Sequence, residues 1–302
     1  MCIIYMDLLP YEKKIYSQNG EDGIVEQIFN IIGTTNKYYL ELGVEDGKEC
    51  NTRNLRKYQW TGIMMDGSNE NKKIGLYKHY ITYDNILKLC YNHNIPIEFD
   101  LLSIDIDYNN FYILYKLLKS RKYFPRLIIT ECSAWWDDDR IVVYDPQYTW
   151  DLNKSKYVGG GPKAYNNLFS KYGYTIIYND ISSVNLFAIQ NKYAYLFKKY
   201  THFVKPTIEK NMIAFIKDIY KRDCISSSDV LSSKIKVSKI ISLNDIINNY
   251  LKTLRQYIGK MMKYIQVAKW KNVDLMRNKI VKIVLENIKT KEKYKNYYNQ
   301  YQ

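Results

Sequence analysis

Residues 38–52 read YYLELGVEDGKECNT, an apolar run that gives way to two glycines and three acids within seven residues. A short apolar run closed by glycine reads as a buried strand, 38–43, turning sharply at its carboxyl end. In an open α/β sheet, ligands bind beyond the carboxyl ends of the strands, near the point where strand order reverses. Gly43 and Gly47 allow the backbone of such a turn to approach a ligand, because neither carries a side chain to fill the space. Glu45 and Asp46 in the same turn would repel a pyrophosphate and suit a ligand with a cationic amine or sulfonium. The dinucleotide fingerprint G-x-G-x-x-G is absent.

On either side of this turn, short apolar runs alternate with helical-period stretches across the first 200 residues. The further strand candidates are 62–66, 99–106, 126–131, 174–178 and 185–189, with a weaker one at 79–83. Helix candidates lie at 20–32, 51–58, 70–78, 84–93, 109–121 and 161–172. Strands separated by helices imply right-handed crossovers and a mostly parallel sheet covered on both faces. The last two runs are joined only by a short turn at 180–183, which predicts a terminal antiparallel hairpin. Six or seven strands closed in this way is the α/β arrangement of Rossmann-like class I methyltransferases, although periodicity alone leaves other doubly wound folds open.

The second strand ends at Asp66, about 20 residues beyond the glycine turn, where an acid can accept hydrogen bonds from two ribose hydroxyls. A nucleoside with a positively charged tail describes S-adenosylmethionine. Glu41, Gly43, Asp46 and Gly47 are therefore candidates for lining its methionine half, and Asp66 for holding the ribose.

Several strings also look familiar as a set: Ser17-Gln18-Asn19-Gly20-Glu21-Asp22-Gly23-Ile24, Tyr39-Leu40-Glu41-Leu42-Gly43, Asp46-Gly47, Asn51-Thr52-Arg53-Asn54-Leu55, residues 62–68, and Asp100-Leu101-Leu102-Ser103-Ile104-Asp105-Ile106-Asp107. Together they resemble an FkbM-like branch of the S-adenosylmethionine-dependent methyltransferases, over about residues 15–192. The resemblance implies a class I fold and methyl transfer, with a sugar, glycan or nucleotide-sugar hydroxyl as acceptor. Two departures lie on the acceptor side. Tyr108, Asn109 and Asn110 follow Asp107 where such proteins carry a glycine and then an acid, and Gly159-Gly160-Gly161 replaces a less flexible stretch.

Methyl transfer from a sulfonium is an in-line displacement, so much of its acceleration comes from holding donor and acceptor in near-attack geometry. A hydroxyl acceptor must also lose its proton to a carboxylate, a histidine or a metal-bound group. Asp105 and Asp107 fall at the carboxyl end of the fourth strand and Glu131 at the end of the fifth, which should be neighbours. These three are the catalytic candidates, with Asp105 also reaching the cofactor. Their convergence could hold Mg²⁺, yet no histidine lies nearby in sequence and no metal is assigned. Against this stands a plainer reading in which Asp107 caps a helix and Glu131 is solvated. Trp135-Trp136-Asp137-Asp138-Asp139 could be an acceptor platform, a lid or a buried anchor, and Tyr144, Asp145, Tyr148 and Trp150 extend that loop. His79 either opens the third strand near an adenine or is a strand-edge residue, and His93 reads as the end of a helix.

The formal net charge of +14 is unevenly placed. Residues 201–302 hold 21 Lys and Arg against 8 Asp and Glu, while residues 1–200 hold 24 against 23. The expected division is thus a nearly neutral catalytic domain, 1–200, and a basic helical extension, 201–302. Ser242 and Asp245 resemble a capping box. Apolar residues then recur at helical spacing to Ile265 and again over about 272–290, with a serine-rich loop near 226–233. The stripe could pack on the body or on a second copy in a homo-oligomer. It could also track RNA phosphates or lie on anionic lipid. An RNA methyltransferase and a catalytically silent scaffold therefore stand as alternatives. No run of about 18 uninterrupted apolar residues suggests a membrane span. The opening MCIIYMDLLP lacks the marks of a signal peptide, so a cytoplasmic location is expected. Five scattered cysteines, never spaced C-x-x-C, argue against a disulfide framework or a structural zinc site.

Overall fold

In chain order the strands are β1 (Tyr38–Leu42), β2 (Thr61–Asp66), β3 (Leu76–Lys78), β4 (Glu98–Ile104), β5 (Phe124–Glu131), β6 (Arg140–Val142), β7 (Tyr174–Asn179), β8 (Asn185–Gln190) and β9 (Cys224–Ser226). The helices are α1 (Glu21–Ile32), α2 (Ile86–Asn92), α3 (Asn110–Ser120), α4 (Pro162–Tyr172) and α5 (Ser227–Leu231). This computed structural model describes residues 6–133, 139–148, 159–198 and 224–232. The helices expected beyond residue 242, and with them most of the basic extension, lie outside the described residues.

Seven strands form one sheet in the order β3-β2-β1-β4-β5-β8-β7. All neighbours are parallel except β8, which runs antiparallel to both β5 and β7. The fold is the expected one, a Rossmann-like class I methyltransferase sheet closed by an antiparallel hairpin. Strand order reverses between β1 and β4, so the crevice beyond their carboxyl ends is where a ligand belongs. Register makes that edge specific. Leu42 pairs with Met65 on β2 and Ile104 on β4, and Ile104 pairs with Thr130 on β5. The next residue on each of these strands is Gly43, Asp66, Asp105 or Glu131, which therefore share one edge.

Both faces of the sheet are covered, as a parallel sheet requires. Ile24, Val25 and Ile28 form the inward stripe of α1 and join Tyr39, Leu101, Leu127 and Phe187 in one core cluster. The alternate residues Leu40, Leu102 and Ile128 are buried on the other face, the side-chain period of a strand being two. Burial of each such aliphatic side chain contributes roughly 1.5–3 kcal/mol.

The amino edge of the sheet carries a buried ion pair. Arg126 on β5 donates to Asp100 on β4 at 2.7 Å, with side-chain exposures of 7% and 0%. The guanidinium also donates to the carbonyls of Ile32 and Gly33, satisfying the carboxyl end of α1, and to the Tyr193 hydroxyl. Asp100 accepts further from the Thr35 and Lys37 backbone N–H groups and from the Thr35 hydroxyl.

Three local expectations are corrected. The third strand is Leu76–Lys78, ahead of the run at 79–83. Residues 70–78 form no α-helix, because Asn71 and Leu76 exchange backbone hydrogen bonds in both directions and close a tight turn. The serine-rich stretch near 226–233 is not simply a loop. Its start pairs as β9 with β6, and α5 follows, with the Ser226 hydroxyl accepting from the Ser228 N–H as an N-cap. Tyr115 and Lys171 donate to the Val230 and Leu231 carbonyls, fastening this short segment to α3 and α4.

Candidate active site

The turn after β1 closes through the Gly47 N–H, which donates to the Val44 carbonyl at 2.8 Å, and both Gly43 and Gly47 have positive φ. The reason for glycine at 43 differs from the one expected. A Cβ there would lie 1.8 Å from the Asp105 carbonyl oxygen, so it is the neighbouring protein backbone that excludes a side chain. The absent side chain is what lets β4 and its acids approach β1.

Glu41 is buried, with both carboxylate oxygens engaged inside the protein. Oε1 accepts from the Asn51 N–H at 2.8 Å, and Oε2 accepts from the Thr52 N–H and hydroxyl. Burial raises its pKa, opposed by those hydrogen bonds. Asn51 in turn donates to Ser103 on β4 at 3.0 Å. The Asn-Thr-Arg-Asn-Leu string thus fixes the floor of the crevice through β1. Asp46 lies exposed, 2.6 Å from Lys48, whose hydrogen bond lowers the Asp46 pKa.

Asp66 organises two loops. Its Oδ2 accepts from the Glu45 N–H at 2.9 Å, and its Oδ1 accepts from the N–H groups of Ser68 and Asn69 at 2.7 and 3.0 Å. The acid at the end of β2 therefore ties the glycine turn to the segment after β2.

Asp105, Asp107 and Glu131 are brought together. One oxygen of each lies within 4.8 Å of the others, and all three are half-buried. The Asp105 and Glu131 carboxyls lie close together, and burial pushes both pKa values up, Glu131 further through the charge of Asp105. Asp107 is pushed up to about 7, first by burial and then by the charges of Asp105, Glu45 and Asp66. It also adopts φ +63, unusual for a residue with a side chain. Among the described residues, no lysine or arginine forms an ion pair with any of the three. Three hard oxygen donors at this spacing suit a cation such as Mg²⁺, and equally a base with a proton-sharing partner.

Several supporting residues escaped the sequence reading. Asn110 accepts from the Ile106 N–H at 2.7 Å and donates to Glu131 at 3.2 Å, linking β4 to β5 at the site. Asn109 exchanges hydrogen bonds with the backbone of Asp145. Tyr108 stacks on Tyr148 with ring centroids 4.3 Å apart, and the Tyr80 hydroxyl donates to the Tyr148 carbonyl. Tyr144, fully buried, accepts from the Tyr83 N–H. Residues 144–148 thus bridge the loops after β3 and β4. The Tyr-Asn-Asn run at 108–110 appeared only as a departure from a familiar pattern, and nothing in sequence signals that 145 would meet 109. Trp135, Trp136 and Trp150 lie outside the described residues.

The familiar string near the amino end is also architectural. Asp22 Oδ2 accepts from the N–H groups of Ile15, Tyr16 and Ser17 and from the Ser17 hydroxyl. Glu21 accepts from Asn19 and from Asn185 on β8.

No protein-family model matches the chain, and no curated protein does. Among solved structures it is similar to the N-terminal domain of EvdMO1 with SAH bound, at 13% identity and a TM-score of 0.35, over 58% of this chain and 82% of that one. It is similar also to a SAM-dependent methyltransferase from Archaeoglobus fulgidus, at 12% identity and a TM-score of 0.30, over 68% and 90%. The glycopeptide N-methyltransferase MtfA gives 10% and 0.32, over 59% and 92%. Likeness this distant bears on no substrate and on no residue.

Proposed function

We propose that this chain is an S-adenosylmethionine-dependent methyltransferase acting on a hydroxyl of a sugar or glycan. The observation that carries the reading is the meeting of Asp105, Asp107 and Glu131 at the strand-order reversal, beside the glycine turn and Asp66. A crevice edged by Asp105, Asp107 and Glu131, with which no described lysine or arginine forms an ion pair, suits a ligand bearing a sulfonium and an amine. When bound, S-adenosylmethionine supplies a methyl group on positively charged sulfur.

The residues divide the work as follows. Asp66 holds the ribose hydroxyls with the lone pairs its loop contacts leave available. Gly43, Asp46 and Gly47 line the methionine half, and Glu41 acts there by fixing residues 51 and 52 beneath it. Asp107, with a pKa near neutrality, takes the acceptor proton as the new oxygen–carbon bond forms and the sulfur–carbon bond breaks. Asp105 and Glu131, both raised in pKa by burial, orient the acceptor hydroxyl. The RNA alternative rests on residues outside the described ones, and no described feature favours it.

Calorimetric titration with S-adenosylhomocysteine tests the reading. The wild type should bind, and Asp66→Ala should bind at least about tenfold more weakly, a difference of about 1.4 kcal/mol. A folded wild type that does not bind sinks the proposal. With binding established, tritiated methyl transfer to neutral sugars and glycans should be lost in Asp107→Asn while cofactor binding persists.

A further inference from the structure

Two of the chain's three histidines, His79 and His93, meet in the fold. Their Nε2 atoms are 2.7 Å apart, and the rings stand edge to face at 71°. Both backbones are fixed by regular structure. The His79 N–H donates to the Asp66 carbonyl at 2.8 Å, just past the end of β3, and His93 is the C-cap of α2, donating to the Leu89 carbonyl. Tyr77 lies against the His93 ring, with centroids 4.4 Å apart. Both imidazoles are half-buried, open enough for a hydrated ion to arrive and keep part of its water.

We propose that His79 and His93 form a two-imidazole site for a borderline divalent transition-metal ion, Zn²⁺ or Cu²⁺, bridging the end of β3 to the end of α2. Nitrogen ligands 2.0–2.1 Å from a tetrahedral ion are about 3.3 Å apart. The pair therefore opens by roughly half an ångström on binding, within reach of a small ring rotation. Imidazole selects Zn²⁺, Cu²⁺ and Ni²⁺ over Mg²⁺ and Ca²⁺, so this site and the carboxylates of Asp105, Asp107 and Glu131 take different classes of cation.

The position gives the ion something to act on. His79 is followed by Tyr80, whose hydroxyl reaches Tyr148 and whose ring lies 3.6 Å from where a Cβ on Gly67 would be. A bridge at His79 would hold this segment against the loop that Asp66 organises. The site does not depend on the methyl-transfer reading.

Calorimetric titration of the full chain with Zn²⁺ at pH 7.5, beside Mg²⁺, tests it. The wild type should bind about one Zn²⁺ that excess Mg²⁺ does not displace. His79→Gln and His93→Gln should each weaken binding at least about tenfold, since even the partners of metal ligands are worth 10–100-fold. Equal binding by wild type and both variants overturns the proposal, as does Zn²⁺ binding lost in Glu131→Gln and retained in the histidine variants. Should the variants fail to fold, Cu²⁺ bound to the wild type decides, because imidazole nitrogens split its electron paramagnetic resonance signal and carboxylate oxygens do not. A one-equivalent Cu²⁺ signal without nitrogen splitting overturns the assignment.

Discussion

Strands β4 and β5 each contribute a charged residue at both ends of the sheet. At the amino edge Asp100 and Arg126 pair at 2.7 Å, and every neighbouring donor and carbonyl is matched. Five residues further along the same strands, Asp105 and Glu131 meet as two acids with raised pKa values, with Asp107 beside them. Register is common to both edges, since a residue on β4 faces the one 26 positions later on β5 throughout. The amino edge resolves its charge inside the protein. At the carboxyl edge no described lysine or arginine forms an ion pair with the three acids. Burial alone therefore does not separate structural from functional carboxylates; whether the protein's own donors and cations satisfy the carboxylate does.

The contrast is most easily broken at the amino edge. Arg126→Met removes one partner and strands Asp100 in the interior, and should destabilise the protein by about 3–5 kcal/mol. Urea denaturation would show it, with S-adenosylhomocysteine affinity of the folded fraction unchanged. A loss below about 1 kcal/mol would show that the pair is not the amino edge's anchor.

Between the two edges lies the approach of β1 to β4. Gly43→Ala places a methyl group against the Asp105 carbonyl at positive φ, and should cost about 1–3 kcal/mol. Ligand affinity should fall with it, because Asp105 must shift. Wild-type stability and affinity in this variant would mean that the backbone contact is slack.

The carboxyl edge should respond with the opposite sign. The Asp107 pKa is raised from 3.8 to about 7 on folding, so between those values the folded state holds more protons than the unfolded one. Stability from this group is present at low pH and lost as pH rises through about 7. Asp107→Asn should therefore stabilise the protein above pH 7, by about 1–2 kcal/mol after allowance for its partial exposure, and flatten that part of the pH profile. Denaturation at pH 5 and pH 8 would check it, and a variant less stable than wild type at pH 8 would refute the cost assigned to burying the Asp107 charge.

The sheet was legible because its signals are local. Runs of four to eight apolar residues bounded by glycines and acids mark strands wherever they occur, and the hairpin at 180–183 was short enough to read directly. The short elements were not. Leu76–Lys78 and Arg140–Val142 are only three residues long, and each exists because a distant partner supplies its hydrogen bonds. At the site, the acids could be placed at strand ends from sequence. Glu41 could not be assigned to Asn51 and Thr52, nor Asp66 to two loops at once, because a side chain's partner depends on directions that periodicity does not carry.

The sequence by itself determined the α/β class, the strand that ends at Gly43 and the strand ends on which Asp66, Asp105, Asp107 and Glu131 stand. These follow from hydrophobic periodicity and turn chemistry, which act over a few residues. Only the tertiary structure decided that Gly43 yields to a backbone carbonyl, that Asp105 and Glu131 meet, that Asn110 joins them and that His79 meets His93. Each of these depends on register between strands or on where a helix ends, and so on contacts between residues far apart in the chain.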